Sequence, residues 1–198
     1  MTKEKYFFEK EVFSKPNYKF NFKADEEMVE EILKYKKSGK VLDLGCGEAG
    51  TSFALAEKGF DVTCIDISKT AIKKIKEEAT KRGLKISAFF DDLEKYKIKG
   101  DYDIIISTGI FHFLPKEKTF ELIEKIKGHT KKKGINIFEA FLKGDPSHEE
   151  DSEGYYFAKE ELKKLYSEWR ILDYEEYEDY DEEEEHMNKV SFLIARKN

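Results

Sequence analysis

The chain has 198 residues, a formal net charge of −6 at pH 7 and 39% charged residues. This length is enough for one domain with a substantial core, and the negative charge gives no overall attraction to nucleic acid or anionic lipid. No apolar run approaches the length of a membrane span and the N-terminus lacks the apolar core of a signal peptide, so we expect a cytoplasmic protein without nucleic-acid or membrane partners.

The N-terminal residues 1–22 are rich in aromatic side chains, namely Tyr6, Phe7, Phe8, Phe13, Tyr18, Phe20 and Phe22. The spacing of Phe8 and Val12 predicts a helix over Thr2–Val12, and Pro16 ends any helix before it. Aromatic residues at this density predict either a segment packed over the core or a lid that excludes water from a ligand. Both interpretations are compatible with the sequence.

An amphipathic helix is predicted next, over Asp25–Lys36, with its apolar residues on one side. We expect a single domain in which residues 1–39 form an N-terminal lid and helical segment. Residues 40–198 then form the core of that domain.

A strand, a glycine loop, a helix and a second strand follow between residues 40 and 68. The apolar run Val41–Leu44 is typical of a buried parallel strand. Gly45, Gly47 and Gly50 then occur at G-x-G-x-x-G spacing, which is a nucleotide-cofactor pattern of low specificity by itself. The helix Thr51–Lys58 ends at a glycine.

Acidic residues around this loop indicate which cofactor it suits. Asp43 ends the first strand, Glu48 lies inside the loop, and Asp66 ends the second strand. A pyrophosphate would be repelled by Asp43 and Glu48, which disfavours a nicotinamide-dependent oxidoreductase. S-adenosylmethionine carries a sulfonium and an ammonium group instead, and Asp66 stands where a carboxylate can accept hydrogen bonds from both ribose hydroxyls. The alternative is a tight turn whose acids cap the helix.

The remaining chain alternates strands with helices. This order predicts βαβ units and an α/β fold with a parallel sheet and helices on both faces. The glycine loop, Asp66, Asp92 and Thr108 all fall at carboxyl ends of strands, the edge where such sheets bind ligands. The predicted elements are a helix from the N-cap Ser68 to Arg82, strands Leu84–Phe90 and Tyr102–Ser107, helix Lys116–Lys127, strand Gly134–Leu142, helix Ala158–Ser167, and strands Trp169–Tyr174 and Lys189–Arg196.

Two polar regions interrupt this pattern. Lys143–Tyr155 is predicted to be a loop. The acidic run Tyr174–Glu185 is predicted to be the solvated tip of an antiparallel hairpin, because tyrosines lie within it and a strand follows.

The motifs Asp43-Leu-Gly45-Cys46-Gly47-Glu-Ala-Gly50 and Asp66, together with Phe90–Leu93 and Tyr102–Pro115, resemble class I S-adenosylmethionine-dependent methyltransferases. Phe157–Tyr166 with Trp169, and the terminal Leu-Ile-Ala-Arg-Lys, are similar to the small tellurite-resistance branch of that superfamily. The resemblance implies a Rossmann-like, seven-stranded sheet of order 3-2-1-4-5-7-6 with the last strand antiparallel.

The same resemblance implies the cofactor site. The ligand would be S-adenosyl-L-methionine, with S-adenosyl-L-homocysteine as product. Ile67 would lie against the adenine, and Asp92 rather than Asp91 would contact its amino group. The full set of implied cofactor-binding residues is Asp43, Gly45, Cys46, Gly47, Gly50, Asp66, Ile67, Asp92, Leu93, Thr108 and Phe113.

Two histidines are candidates for the chemistry. His112 follows the fourth strand, near the expected position of the methyl group, where packing is an equally good explanation. His186 fits a histidine that assists the acceptor in the tellurite-resistance branch, although Met187 stands where that branch has an arginine. No strong base is evident, so we expect a small acceptor that ionises by itself, a thiol or an oxyanion. A non-catalytic cofactor-binding protein is the alternative, and we expect a monomer or a homodimer.

Composition adds two expectations. Lysine and glutamate dominate the charged residues and glutamine is absent, a bias typical of thermophilic proteins. Cys46 and Cys64 lie in the glycine loop and in a predicted buried strand, which predicts neither a disulfide framework nor a metal site.

Overall fold

The computed structural model describes residues 6–148, 153–181 and 186–198. Within these residues, seven strands form one sheet in the order β3-β2-β1-β4-β5-β7-β6. The strands are β1 Lys40–Leu44, β2 Asp61–Asp66, β3 Ile86–Phe90, β4 Tyr102–Thr108, β5 Thr130–Phe141, β6 Arg170–Asp181 and β7 His186–Arg196. The helices are α1 Glu26–Tyr35, α2 Gly50–Glu57, α3 Lys69–Arg82, α4 Lys116–His129 and α5 Glu161–Leu165.

The strand order confirms the predicted topology. β1 to β5 pair in parallel, whereas β7 runs antiparallel to both of its neighbours, β5 and β6. Two buried apolar clusters lie on opposite faces of the sheet, one containing residues of α4 and α5 and the other residues of α1, α2 and α3. Helices therefore cover both faces, as the alternation of strands and helices predicts.

Local signals in the sequence place several helix ends correctly. The Asp25 and Ser68 side chains cap α1 and α3 by accepting the amide hydrogens of Met28 and Ala71, each at 2.9 Å. Gly83 ends α3 in the left-handed conformation, with φ of 65°.

Two predicted elements in the C-terminal part of the chain differ from the structure. β6 continues to Asp181 because it pairs with β7 along its whole length, so the described part of the acidic run is strand rather than hairpin tip. Residues 182–185 of that run lie outside the described residues. α5 is shorter than Ala158–Ser167, because Glu160 adopts a left-handed conformation that no helix interior accepts.

The N-terminal prediction is also wrong in detail. The structure has a π-helix over Phe8–Phe13 in place of a helix over Thr2–Val12, whose first residues lie outside the described range. β5 begins at Thr130 rather than Gly134. Across the described residues, no helix has the length and apolar character needed to cross a bilayer.

Candidate cofactor and acceptor site

A cavity of about 240 Å³ opens at the carboxyl ends of the parallel strands, and we call it the main cavity because most of the expected cofactor-binding residues line it. Eight of the expected cofactor-binding residues line it: Gly45, Gly47, Asp66, Ile67, Asp92, Leu93, Thr108 and Phe113. The other lining residues are Phe8, Glu9, Phe13, Ser68, Gly109, Ile110 and Leu114. Phe8 and Phe13 belong to the aromatic segment predicted as either a lid or a packed segment, whereas no pattern in the sequence marks Glu9 as a cavity residue. The walls are mostly apolar, with acidic groups at one side.

A second cavity, of about 230 Å³, holds the other three expected residues, Asp43, Cys46 and Gly50. Thr108 lines both cavities, so they are neighbours across the end of β4. Lys23, Asp25 and Met28 of the N-terminal region also line the second cavity. The predicted cofactor-binding residues are thus divided between two adjoining cavities.

Asp66 is held rigidly at the wall of the main cavity. Its Oδ2 accepts the Gly47 amide hydrogen at 2.9 Å and its Oδ1 accepts the Ser68 amide hydrogen at 2.7 Å. Burial raises the pKa of Asp66, and these two hydrogen bonds offset only part of the rise. Because both oxygens are oriented by backbone, the carboxylate is pre-organised to accept further hydrogen bonds from a ligand.

Asp43 lies deeper, beneath the second cavity. Its Oδ2 accepts the Ser52 hydroxyl hydrogen at 2.7 Å. Burial raises the pKa of Asp43 to about 6, and the charge of Asp66 adds to this rise. A buried carboxylate of this kind gains most from a cationic ligand placed beside it.

The two adjacent aspartates after β3 face different spaces. Asp92 lines the main cavity, whereas Asp91 lines a separate space beside β3. The Asp91 side chain accepts the Asp92 amide hydrogen at 2.8 Å. Asp92 thus lines the cavity that holds Asp66 and Ile67, whereas Asp91 does not, and contact of Asp92 with an adenine stays a prediction.

Two glycines are required by close neighbours. A Cβ on Gly50 would lie 1.8 Å from the carbonyl oxygen of Lys23. A Cβ on Gly45, whose φ is 74°, would lie 2.2 Å from Ile110 Cγ2. Gly50 therefore permits the N-terminal segment to cross the glycine loop, a role that the sequence pattern does not reveal.

The N-terminal segment covers the main cavity. The Glu9 carboxylate accepts hydrogen bonds from the Ser68 hydroxyl and from the Thr70 hydroxyl at 3.0 Å and amide at 3.3 Å. Burial acts to raise the pKa of Glu9, but these hydrogen bonds outweigh it and hold the pKa below its usual range. The Phe8 ring meets Phe113 edge to face at 6.1 Å across the cavity.

His112 lies behind the cavity wall. Its ring is 3.8 Å from that of Phe113 and stacks on Phe141 at 4.7 Å, centroid to centroid. Its Nδ1 is buried and has no hydrogen-bond partner among the described residues. Burial lowers the pKa of His112 to about 4 against the opposing charge of Asp145, so the ring is neutral at pH 7.

His186 stands apart from both cavities. It begins β7 opposite Asp181 of β6, and its Nε2 is 2.8 Å from Oδ1 of Asn188. Neither cavity is lined by His186 or by His112. Both cysteines are free, and no group of three potential metal ligands occurs in the described part of the chain.

The family of tellurite resistance protein TehB matches this chain over residues 5–195. A probable S-adenosyl-L-methionine-dependent methyltransferase TehB from Haemophilus influenzae is 33% identical over 184 residues. That match covers 90% of this chain and 64% of the relative, so the chain spans less than two thirds of the relative's length.

Solved structures show the same fold. The crystal structure of TehB from Haemophilus influenzae is similar with a TM-score of 0.78 and 30% identity, over 98% of this chain and 67% of that one. Magnesium protoporphyrin IX methyltransferase from Synechocystis PCC 6803, with bound S-adenosylmethionine, has a TM-score of 0.70 at 16% identity, over 98% and 95% of the two chains. At 16% identity, the similarity to magnesium protoporphyrin IX methyltransferase supports the fold alone.

Proposed function

We infer that this chain, which belongs to the TehB family, transfers a methyl group from S-adenosylmethionine to a small-molecule acceptor. The observation that carries this proposal is the placement of Asp43 and Asp66 on two adjoining cavities that meet at Thr108. Asp66 would hold the ribose hydroxyls, and Asp43 would face the cationic methionine end. A phosphate-bearing cofactor does not fit this arrangement, because no compensating cation lines the main cavity among the residues that the structure describes.

The bound cofactor supplies an activated methyl group, so the protein's part is to position both partners and exclude water. The test is release of S-adenosyl-L-homocysteine from S-adenosylmethionine in the presence of candidate acceptors. The alternative, a non-catalytic cofactor-binding protein, requires cofactor binding without release of that product for any acceptor. Binding of neither S-adenosylmethionine nor its product would contradict both.

The nature of the acceptor is the finer part of the proposal. Because the sequence shows no strong base, a soft nucleophile that ionises by itself, a thiol or an oxyanion, needs the least help from the protein. One methyltransferase domain, a cytoplasmic location, a thermophilic source and a monomeric or homodimeric state stay predictions.

Saturating S-adenosylmethionine should slow amide hydrogen exchange in residues 8–20 by about tenfold or more. The reason is that Phe8, Glu9 and Phe13 line the main cavity, so a ligand there adds contacts to the segment. Exchange measured by mass spectrometry with and without cofactor checks this, with β7 as an internal reference. Equal exchange in residues 8–20 would mean that the segment only packs on the core and is not a lid.

Replacing His186 by alanine should lower turnover by about 10- to 100-fold while leaving cofactor affinity unchanged, if His186 orients the acceptor. This corresponds to about 1.4–2.7 kcal/mol of transition-state stabilisation. Steady-state kinetics of His186→Ala should be compared with His129→Ala, which removes an exposed histidine near Gly100 at the opposite edge of the sheet. Unaltered turnover in His186→Ala would show that His186 contacts Asn188 but takes no part in methyl transfer.

A further inference from the structure

The N-terminal segment, residues 8–22, is tied to the core at both of its ends. Between them it lies over the main cavity, which Phe8, Glu9 and Phe13 line. The two attachments differ in chemistry, because one is apolar packing and the other is a set of hydrogen bonds. This difference determines which end of the segment can open.

The C-terminal end of the segment is fixed by packing. The Phe22 ring lies 4.9 Å from that of Phe53, and the Arg82 guanidinium lies over both rings, 5.8 Å and 4.9 Å from their centroids. The φ angle of Phe22 is 50°, which a bulky residue rarely adopts and which persists only where its surroundings hold it. This end therefore serves as an anchor.

The N-terminal end is held by the side chain of Glu9, in the π-helix Phe8–Phe13. Its carboxylate accepts the Ser68 hydroxyl hydrogen, and the hydroxyl and amide hydrogens of Thr70 at 3.0 Å and 3.3 Å. Amides in the first turn of a helix lack partners within that helix, so a carboxylate is favoured at the start of α3. Glu9 is only half-buried, so water can replace these hydrogen bonds when they break.

A row of aromatic rings connects the two ends. The Phe8 and Phe13 rings are 5.6 Å apart, and Phe13 is 5.1 Å from Phe20. Phe20 is in turn 5.8 Å from Phe22, so the row reaches the anchor. Phe8 also meets Phe113 on the opposite wall of the main cavity. The hydrogen bonds of the residue next to Phe8 thus decide whether this ring stays against the far wall.

We propose that Glu9 is a positioning residue that latches the N-terminal segment over the main cavity, so that S-adenosylmethionine enters and leaves when the contacts of Glu9 with Ser68 and Thr70 break. We call these contacts the Glu9 latch. The inference rests on the proposed methyltransferase function and deepens it, because it assigns a residue that controls exchange of the cofactor rather than its affinity.

A latch has a kinetic signature that a ligand contact lacks. Loss of a ligand contact acts mainly on the dissociation rate constant. A latch slows association and dissociation alike, because the same opening precedes both. Its loss should therefore raise both rate constants and leave their ratio, Kd, nearly unchanged.

The experiment measures both rate constants for S-adenosyl-L-homocysteine by surface plasmon resonance on the immobilised full chain. Glu9→Gln keeps the size of the side chain but removes its charge and one acceptor oxygen. We expect association and dissociation each to become about fivefold faster or more, with Kd changed by less than about twofold.

A second variant tests the other half of the latch without changing charge. Thr70→Val removes one hydroxyl donor to Glu9 and should raise both rate constants by a smaller factor. The double variant of Glu9→Gln and Thr70→Val should differ little from Glu9→Gln alone, because both substitutions break the same contact. This non-additivity is a readout that an unspecific loss of structure would not give.

The matched control is Glu11→Gln, which removes an exposed carboxylate from the same π-helix. Both rate constants should stay at their wild-type values in this variant. The unfolding transition of every variant should be recorded beside the rates, so that rates are compared among folded proteins.

The outcomes separate the two proposals. If the wild-type protein binds neither S-adenosylmethionine nor S-adenosyl-L-homocysteine, the proposed function fails and the latch fails with it. If it binds them and the rates of Glu9→Gln equal those of wild type, the methyltransferase proposal stands and the latch is overturned. Faster dissociation without faster association would also overturn the latch, because that pattern indicates a lost ligand contact or a damaged site.

Discussion

Asp66→Ala should weaken S-adenosylmethionine binding by about 1.5–3 kcal/mol, or roughly 10- to 150-fold. The Asp66 carboxylate is already oriented by the amides of Gly47 and Ser68 and lines the main cavity. A ligand hydroxyl therefore gains a charge-assisted hydrogen bond without paying for the ordering of this side chain. Isothermal titration calorimetry of the variant and the wild-type protein measures the difference directly.

The matched control for this variant is Asp61→Ala, which removes an exposed aspartate from the opposite end of the same strand. It should leave cofactor affinity unchanged. Asp66→Ala also removes acceptors for two amide hydrogens, so its unfolding transition should be recorded alongside. Equal affinity in a folded Asp66→Ala protein would show that Asp66 only shapes the glycine loop.

Asp43→Asn should stabilise the ligand-free protein at pH 7.5 by about 3 kcal/mol while weakening S-adenosylmethionine binding. The folded-state pKa of Asp43 is raised from 3.8 to about 6 by burial, and each unit of difference corresponds to about 1.4 kcal/mol. A raised carboxyl pKa means that the folded state holds the proton more tightly than the unfolded state. The charge therefore destabilises the fold above about pH 6, and this cost disappears as the pH falls toward 4.

Urea unfolding at pH 7.5 and pH 4.5 tests the sign of this effect on the free energy of unfolding. At pH 7.5 the free energy of unfolding of Asp43→Asn should exceed that of the wild-type protein, and at pH 4.5 the two values should be nearly equal.

Asp103→Asn is a control for which we expect a change of opposite sign. Burial acts to raise the pKa of Asp103, but the Lys131 ammonium and Lys40 amide outweigh it and hold the pKa below its usual range. Asp103→Asn should therefore destabilise the fold at pH 7.5. Lower stability of Asp43→Asn at that pH would show that its hydrogen bond with Ser52 matters more than its buried charge.

The parts of the fold that could be predicted from sequence are those with local causes. The short apolar strands β1, β2 and β4 and the caps at Ser68 and Gly83 follow from patterns within a few residues. The sheet order came from the resemblance, because periodicity does not say which strands are neighbours. The length of β6 depends on pairing with β7. The acidic composition of this segment is typical of a solvated loop, so the sequence does not indicate that pairing.

The same limit applies to the site. The glycine loop and the acids at strand ends are close in sequence to the elements that position them. Glu9 reaches the cavity only because its segment folds back onto α3, 59 residues away at Ser68. No pattern within its own stretch of sequence marks Glu9 as a cavity residue.

The contact between Gly50 and the Lys23 carbonyl also bears on how acceptor preference can be re-engineered. A library that varies the N-terminal segment would be the natural route to new substrates, because that segment covers the main cavity. Positions 23 and 24 are poor choices for insertion or deletion, since their backbone atoms lie where a Gly50 side chain would be. Diversity is better confined to Phe8, Phe13 and their neighbours, with Gly50 kept in every clone.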